Sequence, residues 1–279
     1  MKTVFITGAS SGIGKEAVKI FATKGWNVIA AMHNPENDME SCVFDNIIQV
    51  RCDVKEPESV KKAFAIALET FGEIDVLVNN AGIYNTKPLE SMSEGEVADI
   101  LDTNIKGVIT CTQSVLPHFR KKMSGTIINI SSIAGFTTFP FQTIYHASKW
   151  GLEGLSESLQ YELKPLNIKV KIVEPGVVKT SLYDTLTGVN DTIHTDYVEN
   201  FRASYKSLLK NIEKGFMPNV SARTIYQAAT ENTWRMRYRS GADTRLVAFL
   251  HSLLPLSMFT LLIEKLTGLR QTHRQNFNL

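Results

Sequence analysis

The sequence predicts an α/β fold, in which helices cover both faces of one parallel sheet of about seven strands. Short apolar segments such as 4–6 and 74–78 alternate with longer segments whose apolar residues recur at helical spacing. Residues 76–78 are apolar without interruption, which is typical of a strand buried on both faces. No internal repeat interrupts this pattern, so we expect residues 1–279 to form a single domain.

The elements follow from apolar periodicity and from the residues that end it. Helices are predicted directly after Gly14 and over 59–71, 93–122 and 145–163. Pro117 is expected to bend or divide the helix over 93–122. Because parallel strands alternate with helices, the carboxyl end of every strand lies at one edge of the sheet. The predicted strands cover 4–6, 27–31, 47–50, 74–78, 126–130 and 169–173, with a last strand and turn within 237–243.

Composition and charge exclude several classes of protein. The chain has 279 residues and a formal net charge of +2, which suits a large core and argues against a nucleic-acid partner. Cys42, Cys52 and Cys111 form no C-x-x-C pair and no histidine has metal-ligand spacing, so we expect reduced cysteines in apolar space and no metal. The apolar run after Met1 is too short for a signal peptide, which predicts a cytoplasmic protein.

A glycine-rich turn lies between the first strand and the first helix. Residues 7–14 read T-G-A-S-S-G-I-G. Glycines there permit a tight turn and the close approach of a pyrophosphate, and the following helix supplies amide donors at its N-terminus. The turn predicts a Rossmann-type, doubly wound sheet that binds a dinucleotide. The alternative is an ordinary glycine turn between a strand and a helix.

The end of the second strand bears on the choice of dinucleotide. An acidic residue there would bind the ribose 2′-hydroxyl of NAD, but the chain reads Met32-His33-Asn34. The missing carboxylate favours NADP(H) over NAD(H). Lys15 and His33 are candidate partners for a 2′-phosphate, although Lys15 is equally compatible with a solvated position in the first helical turn.

Polar and small residues also follow other strands. Asp53 either meets the adenine amino group or caps the helix that begins near Pro57. Residues 79–82, N-N-A-G, would let the backbone pass close to a ligand. Together with the glycine turn, Ser132 and residues 175–180, these segments follow strand ends and should converge on one binding site.

Ser132, Tyr145 and Lys149 form the candidate catalytic group. Tyr145 and Lys149 are four residues apart in a predicted helix, which places both side chains on one face. A lysine ammonium favours the phenolate and lowers the tyrosine pKa, so the tyrosine could exchange a proton with an alcohol or ketone oxygen held by the serine. Taken alone, the spacing equally describes a buried aromatic residue beside a solvated lysine.

Together these motifs resemble the classical short-chain dehydrogenase/reductase family over nearly the whole chain. The glycine turn, N-N-A-G, the serine with Y-x-x-x-K, and P-G-x-x-x-T at 175–180 occur in the family's order and spacing. The resemblance implies an NAD(P)(H)-dependent oxidoreductase that interconverts a secondary alcohol and a ketone by hydride transfer. It also implies a homodimer or homotetramer. Ser11 and His33 stand where NADP(H)-preferring members often carry arginine or lysine.

The resemblance implies a role for each matching residue. Tyr145 would be the general acid or base, Lys149 would lower its pKa and bind the nicotinamide ribose, Ser132 would orient the substrate oxygen, and Asn104 would hold a water on a proton route. The cofactor would contact Gly8, Ser10, Gly12, Ile13 and Gly14 at the pyrophosphate, Asp53 and Val54 at adenine, Asn80, Ala81 and Gly82 beside the adenosine ribose, and Pro175, Val178 and Thr180 at the nicotinamide.

The C-terminal third bears on the substrate. Residues 181–215 are predicted to form a substrate lid with short helices, whose aromatic side chains suit an apolar substrate or pack on the body. The last part resembles members that act on steroids, retinoids or other lipophilic alcohols. Residues 243–270 are predicted to form two short apolar helices that cover the pocket or a subunit interface, with peripheral membrane contact as a third interpretation.

A sugar epimerase and a non-catalytic dinucleotide sensor are the alternatives to an alcohol–ketone oxidoreductase. Sugar epimerases of related fold usually show T-G-x-x-G-x-x-G, which this chain lacks. A non-catalytic dinucleotide sensor could use the same fold, but such a protein would be expected to lose Tyr145 or Lys149. Retention of both residues favours an enzyme.

Overall fold

A computed structural model describes residues 1–35, 44–184, 186, 188, 190 and 192–269. Its centre is a parallel sheet of seven strands in the order β3-β2-β1-β4-β5-β6-β7. The strands are β1 Thr3–Thr7, β2 Asn27–Met32, β3 Ile47–Arg51, β4 Val76–Asn79, β5 Gly125–Ile130, β6 Ile168–Pro175 and β7 Arg237–Ser240. The order reverses between β1 and β4, so the predicted doubly wound sheet is confirmed.

Helices pack on both faces of this sheet. They are α1 Gly12–Thr23, α2 Pro57–Phe71, α3 Glu94–Leu101, α4 Gly107–Lys122, α5 Thr143–Leu163, α6 Thr195–Lys214, α7 Pro218–Thr230, α8 Ala242–Leu253 and α9 Leu256–Thr267. Alternate residues of β1 serve the two cores: Val4 and Ile6 pack with α1 and α7, and Phe5 stacks on Phe64 of α2 at 4.1 Å between ring centroids. The sheet is therefore buried on both sides, as its apolar strands predicted.

The long helix predicted over 93–122 is divided, but not at Pro117. A π-helical turn, Asp102–Lys106, separates α3 from α4, and Pro117 lies inside α4. The segment predicted as a lid with short helices also differs, because α6 alone spans 20 residues. The two short C-terminal helices, α8 and α9, agree with the sequence pattern.

Two smaller predictions concern cysteines and membranes. Cys52 and Cys111 are free and buried, as expected for small apolar fillers, while Cys42 lies outside the described residues. Among the described helices, none has the length and apolar content needed to cross a bilayer.

Candidate active site

The carboxyl ends of six strands, β1 to β6, open onto one cavity of about 620 Å³. Gly14 and Asn104 do not line it. Every other predicted site residue does: Gly8, Ser10, Gly12, Ile13, His33, Asp53, Val54, Asn80, Ala81, Gly82, Ser132, Tyr145, Lys149, Pro175, Val178 and Thr180. The convergence that the strand ends predicted is therefore present in the fold.

The glycine turn forms the floor of this cavity. Gly8 and Gly12 have φ angles of +63° and +55°, which side-chain-bearing residues rarely adopt. A Cβ on Gly8 would lie 2.8 Å from the Cα of Ala81, and a Cβ on Gly14 would lie 2.3 Å from the Gly8 carbonyl oxygen. Gly14 therefore acts by close packing beneath the turn rather than by lining the cavity.

Asn80 holds the turn against the end of β4. Its side-chain amide donates to the carbonyl oxygens of Thr7 at 2.9 Å and Gly8 at 3.0 Å. The hydroxyl of Thr7 accepts hydrogen bonds from the backbone amides of Asn80 and Ala81, both at 3.0 Å. Polar groups that a strand end would otherwise leave unpaired are thus satisfied across the two loops.

The first turn of α1 suits an anion. Its described residues include no acidic side chain, and the side chain of its N-cap residue Ser11 does not cap the helix. Instead, the Ser181 hydroxyl donates to the Ser11 hydroxyl at 2.9 Å. The N-terminal amides and the helix dipole consequently face the cavity without a competing carboxylate from the helix itself.

His33 and Asp53 both line this cavity, and their side chains are in contact. Nε2 of His33 lies 3.0 Å from Oδ2 of Asp53. Burial tends to raise the pKa of Asp53, but the backbone amide of Lys55 and the His33 side chain outweigh it and lower the pKa. The alternative role for Asp53, capping α2, is wrong, because the cap position of that helix is Glu56.

The three candidate catalytic side chains come together on the cavity wall. Tyr145 and Lys149 lie on α5 and are 8% and 6% exposed. Nζ of Lys149 is 5.7 Å from the centre of the Tyr145 ring and donates to the Ile130 carbonyl oxygen at 2.9 Å. The Ser132 hydroxyl lines the same cavity wall as Tyr145 and accepts a hydrogen bond from the Ala134 amide at 3.1 Å.

Burial controls the protonation of this group. It raises the pKa of Tyr145 to about 12, and the nearby Ser132 side chain only partly opposes the rise. It lowers the pKa of Lys149 to about 8, against the attraction of Glu153. The predicted lowering of the tyrosine pKa is therefore wrong for the protein groups described here, because desolvation of the phenol dominates over the nearby ammonium.

Asn104 occupies the π-helical turn and is 1% exposed. Its side-chain amide donates to the Ile83 carbonyl oxygen and to the Ser148 hydroxyl, both at 3.0 Å, and its oxygen accepts from the Ile83 amide at 2.9 Å. The extra residue of a π turn thus directs this side chain between the β4 loop and α5. Its predicted role in holding a water stays a prediction.

Two tyrosines adjoin the catalytic group: Tyr84, which the sequence analysis missed, and Tyr183, one of the aromatic residues of the predicted lid. The ring of Tyr84 lies edge-to-face with Tyr145 at 4.8 Å and with Tyr183 at 5.2 Å between centroids. Among the described residues, the buried Tyr84 hydroxyl has no hydrogen-bond partner, since the nearby Thr86 hydroxyl donates to the Phe141 carbonyl oxygen. An aromatic residue two positions after N-N-A-G was the available signal.

A cluster of buried carboxylates lies behind the cavity and was also missed. Glu174 on β6 is fully buried and accepts from Nε of Arg239 at 3.2 Å. Arg237 lies 3.2 Å from the other oxygen of Glu174 and donates to Glu153 at 3.1 Å and 3.2 Å. Burial and the neighbouring Glu153 raise the pKa of Glu174 to about 7, although both arginines oppose the rise.

Comparison with known proteins identifies the family of this chain. A family model described as short chain dehydrogenase matches residues 2–188. The oxidoreductase YusZ of Bacillus subtilis is 35% identical over 276 residues, with 95% of this chain and 98% of the relative covered. The 3-ketodihydrosphingosine reductase of Bacteroides thetaiotaomicron is 36% identical over 246 residues, covering 85% and 87%. The chain therefore belongs to the short-chain dehydrogenase family.

Solved structures agree with this assignment. A short-chain dehydrogenase from Streptomyces avermitilis has a TM-score of 0.79 at 29% identity, over 96% of this chain and 99% of that one. ElxO with NADP bound has a TM-score of 0.70 at 28% identity, covering 85% and 97%. A 3-ketoacyl-(acyl-carrier-protein) reductase from Brucella melitensis, complexed with NADH, has a TM-score of 0.71 at 26% identity, covering 86% and 97%.

The raised pKa of Glu174 predicts a pH-dependent stability. Folded Glu174 keeps its proton to about pH 7, whereas the unfolded carboxyl loses it near 4.5. Its contribution is thus complete below pH 4.5 and is lost as pH rises through about 7, by up to about 1.4 kcal/mol per pH unit between these values. We expect Glu174→Gln to reduce this slope in denaturant unfolding from pH 5 to 8.

The matched control for this prediction is Glu157→Gln. Glu157 also contacts Arg237, but its side chain is 52% exposed, so its removal should leave the slope as it is in the wild type. Glu153, whose pKa burial also raises, adds a slope of the same sign, so Glu174→Gln should retain part of the dependence. An unchanged slope in Glu174→Gln would contradict the prediction.

Proposed function

We propose that the protein is a nicotinamide-dinucleotide-dependent oxidoreductase that interconverts a secondary alcohol and a ketone. The observation that carries the proposal is the meeting of Ser132, Tyr145 and Lys149 on the wall of the cavity that the glycine turn opens. A site for proton exchange and a cradle for phosphate thus share one space. Membership of the short-chain dehydrogenase family supports the same reading.

The residues present fit a dinucleotide. Gly8 and Gly12 carry no side chain of their own and line the cavity beside the N-terminus of α1, which suits a pyrophosphate. Asp53 and Val54 would hold the adenine end, and Pro175 with Thr180 would hold the nicotinamide end. When bound, the dinucleotide supplies the hydride acceptor or donor.

The protein groups would then manage the proton and the substrate oxygen. Tyr145 gives a proton to the ketone oxygen in reduction and takes one from the alcohol in oxidation. Ser132, which lines the cavity together with Tyr145, holds that oxygen in place. The Lys149 ammonium donates one of its three N–H groups to the Ile130 carbonyl oxygen. The other two can donate to a ribose hydroxyl and to the phenol oxygen of Tyr145.

We further propose a preference for NADP(H) over NAD(H). The absence of a carboxylate at Met32, His33 and Asn34 supports it, because no negative charge on that strand end would repel a 2′-phosphate. His33 lines the cavity and could turn from Asp53 towards a phosphate. Similar solved structures carry NADP in one case and NADH in another, so they support either dinucleotide.

The substrate is proposed to be lipophilic, of steroid-like or retinoid-like character. Beside Tyr145, the rings of Tyr84 and Tyr183 and the side chains of Leu182 and Leu208 form an apolar wall. A relative named 3-ketodihydrosphingosine reductase supports a lipid ketone as one member of this class. Segment 181–215 contributes part of the wall, which supports its proposed role as a substrate lid.

We also make a proposal about the oligomeric state of the protein. We propose a homodimer or homotetramer formed through α4 and α5. Trp150 and Tyr161 on α5 are 47% and 76% exposed, which supports a contact on that face. The cytoplasmic location stays a prediction from the sequence.

The proton role is tested with Tyr145→Phe. We expect ketone reduction to fall by about 10²–10⁴-fold, because the general acid is removed, while dinucleotide binding survives. The measurements are NADPH oxidation on a panel of steroids, retinoids, 3-ketodihydrosphingosine and small ketones, and cofactor affinity from NADPH fluorescence. Tyr161→Phe, on the same helix but exposed, is the matched control and should keep wild-type turnover.

Two results would speak against this function. Retained turnover in Tyr145→Phe would remove the phenol from the chemistry. Tight dinucleotide binding by the wild type, with no turnover on any member of the panel, would favour the non-catalytic sensor instead.

The pKa of Lys149 predicts a pH profile. Because burial lowers that pKa to about 8, kcat/KM for ketone reduction should fall about tenfold per unit above pH 8 as the ammonium loses its charge. Lys149→Arg keeps its charge to high pH. The kcat/KM of that variant should be lower than that of the wild type but independent of pH up to about pH 10. A wild-type kcat/KM that stays constant over the same range would refute the role given to the Lys149 ammonium.

Cofactor preference is tested by comparing NADPH with NADH. We expect the wild type to favour NADPH at least about tenfold in kcat/KM, since about 1.4 kcal/mol corresponds to one charge-assisted contact. His33→Ala should lose most of this preference and leave the NADH value nearly unchanged. Asn34→Ala, one position further along, is the control. A wild-type preference for NADH would contradict the proposal.

A further inference from the structure

The two C-terminal helices expose a large number of apolar side chains. On α8 these are Leu246, Phe249 and Leu253, and on α9 they are Leu256, Met258, Leu261 and Leu266, each more than half exposed. We call these seven side chains the C-terminal apolar surface. Single exposed apolar residues are ordinary, but seven of them on two helices that contact each other are typical of an interaction site.

The surface is not the inner face of these helices. On α8, Thr244 and Ala248 are buried against the body, while Leu246, Phe249 and Leu253 recur at i, i+3 and i+7 on the outer face. On α9 the buried residues are Phe259 and Thr267. A helix that is apolar on both faces needs a second apolar partner.

The charges beside the surface indicate which partner it fits. The exposed charged residues of α8 and α9 are both basic, Arg245 and Lys265, whereas Asp243 and Glu264 are only partly exposed. The sequence that follows, residues 270–279, contains two arginines and no acidic residue. Apolar side chains with basic neighbours match the boundary of an anionic bilayer. A second copy would present the same two exposed basic residues and no exposed acidic residue on these helices to pair with them.

The inner face of α9 closes the pocket beside the catalytic group. Thr267 lines a small cavity together with Tyr145 and Ser132. The hydroxyl of Ser207 on α6 donates to the Leu266 carbonyl oxygen at 3.1 Å, which holds α9 against α6. The substrate pocket and the C-terminal apolar surface are thus separated by the thickness of one helix.

We propose that the C-terminal apolar surface docks on an anionic phospholipid bilayer, with its leucine, methionine and phenylalanine side chains at the boundary between headgroups and acyl chains and Arg245 and Lys265 against lipid phosphates. Docking would place the pocket next to the acyl chains, so a lipophilic substrate could reach it without crossing water. This second part rests on the proposed function, whereas the docking does not.

The experiment is co-sedimentation of the full chain with vesicles of phosphatidylcholine alone or with about 30% phosphatidylglycerol. We expect binding to the anionic vesicles that weakens as salt is raised. The double variant Phe249→Glu, Leu261→Glu should lower this affinity at least about tenfold, because both carboxylates would enter the interface. Leu89→Glu, at a residue 52% exposed elsewhere on the chain, is the matched control and should bind as the wild type does.

Two accompanying measurements separate the alternatives. Sedimentation velocity without vesicles reports the oligomeric state, and turnover of a water-soluble ketone reports the active site independently of docking. Variants that bind vesicles poorly but keep their oligomeric state support the proposal, whether or not the soluble ketone is turned over. Absence of wild-type binding, equal binding by the double variant, or a double variant that changes only the oligomeric state would each overturn it.

Discussion

The active-site edge depends on one close contact, between the glycine turn after β1 and the end of β4. A Cβ at Gly8 would lie 2.8 Å from the Cα of Ala81, so the two backbones approach as closely as glycine permits. Asn80 then satisfies the carbonyl groups of Thr7 and Gly8. Because this edge is also where the strand order reverses, the contact sets the floor of the cavity against which the catalytic side chains are placed.

Desolvation is the second constraint, and α5 carries most of it. This helix brings a phenol, an ammonium and a carboxylate, those of Tyr145, Lys149 and Glu153, into the interior within nine residues. Each one consequently titrates away from its ordinary range towards its neutral form. Glu153 in turn pairs with Arg237 on β7, so the same helix joins the catalytic wall to the buried carboxylate cluster. The charge environment of the site therefore reaches β7, one strand beyond the last strand that lines the cavity.

The C-terminal helices connect the pocket to the outside of the molecule. On one side of α9, Thr267 lines the small cavity beside the catalytic group, and on the other side the helix forms part of the C-terminal apolar surface. Covering a pocket and docking on a bilayer are consequently roles for opposite faces of one helix. From the sequence, residues 243–270 are interpreted as a cover for the pocket, a subunit interface or a membrane contact. The cover and the membrane contact are compatible with each other. The substrate proposal and the docking proposal also require the same kind of molecule, a lipid.

The sequence by itself determined the parallel sheet and the succession of strands and helices along the chain, because apolar periodicity and glycine spacing are local signals. It also determined which residues meet at the edge of the sheet, because the carboxyl ends of parallel strands lie on one side. The tertiary structure alone decided how those residues titrate and pair. Tyr145 has a raised pKa and His33 meets Asp53 because burial and distance arise only on folding. The π turn at Asn104, the neighbouring Tyr84 and the pairing of Glu174 with Arg239 also depend on contacts between distant segments. Periodicity describes one element at a time, so it could not reveal them.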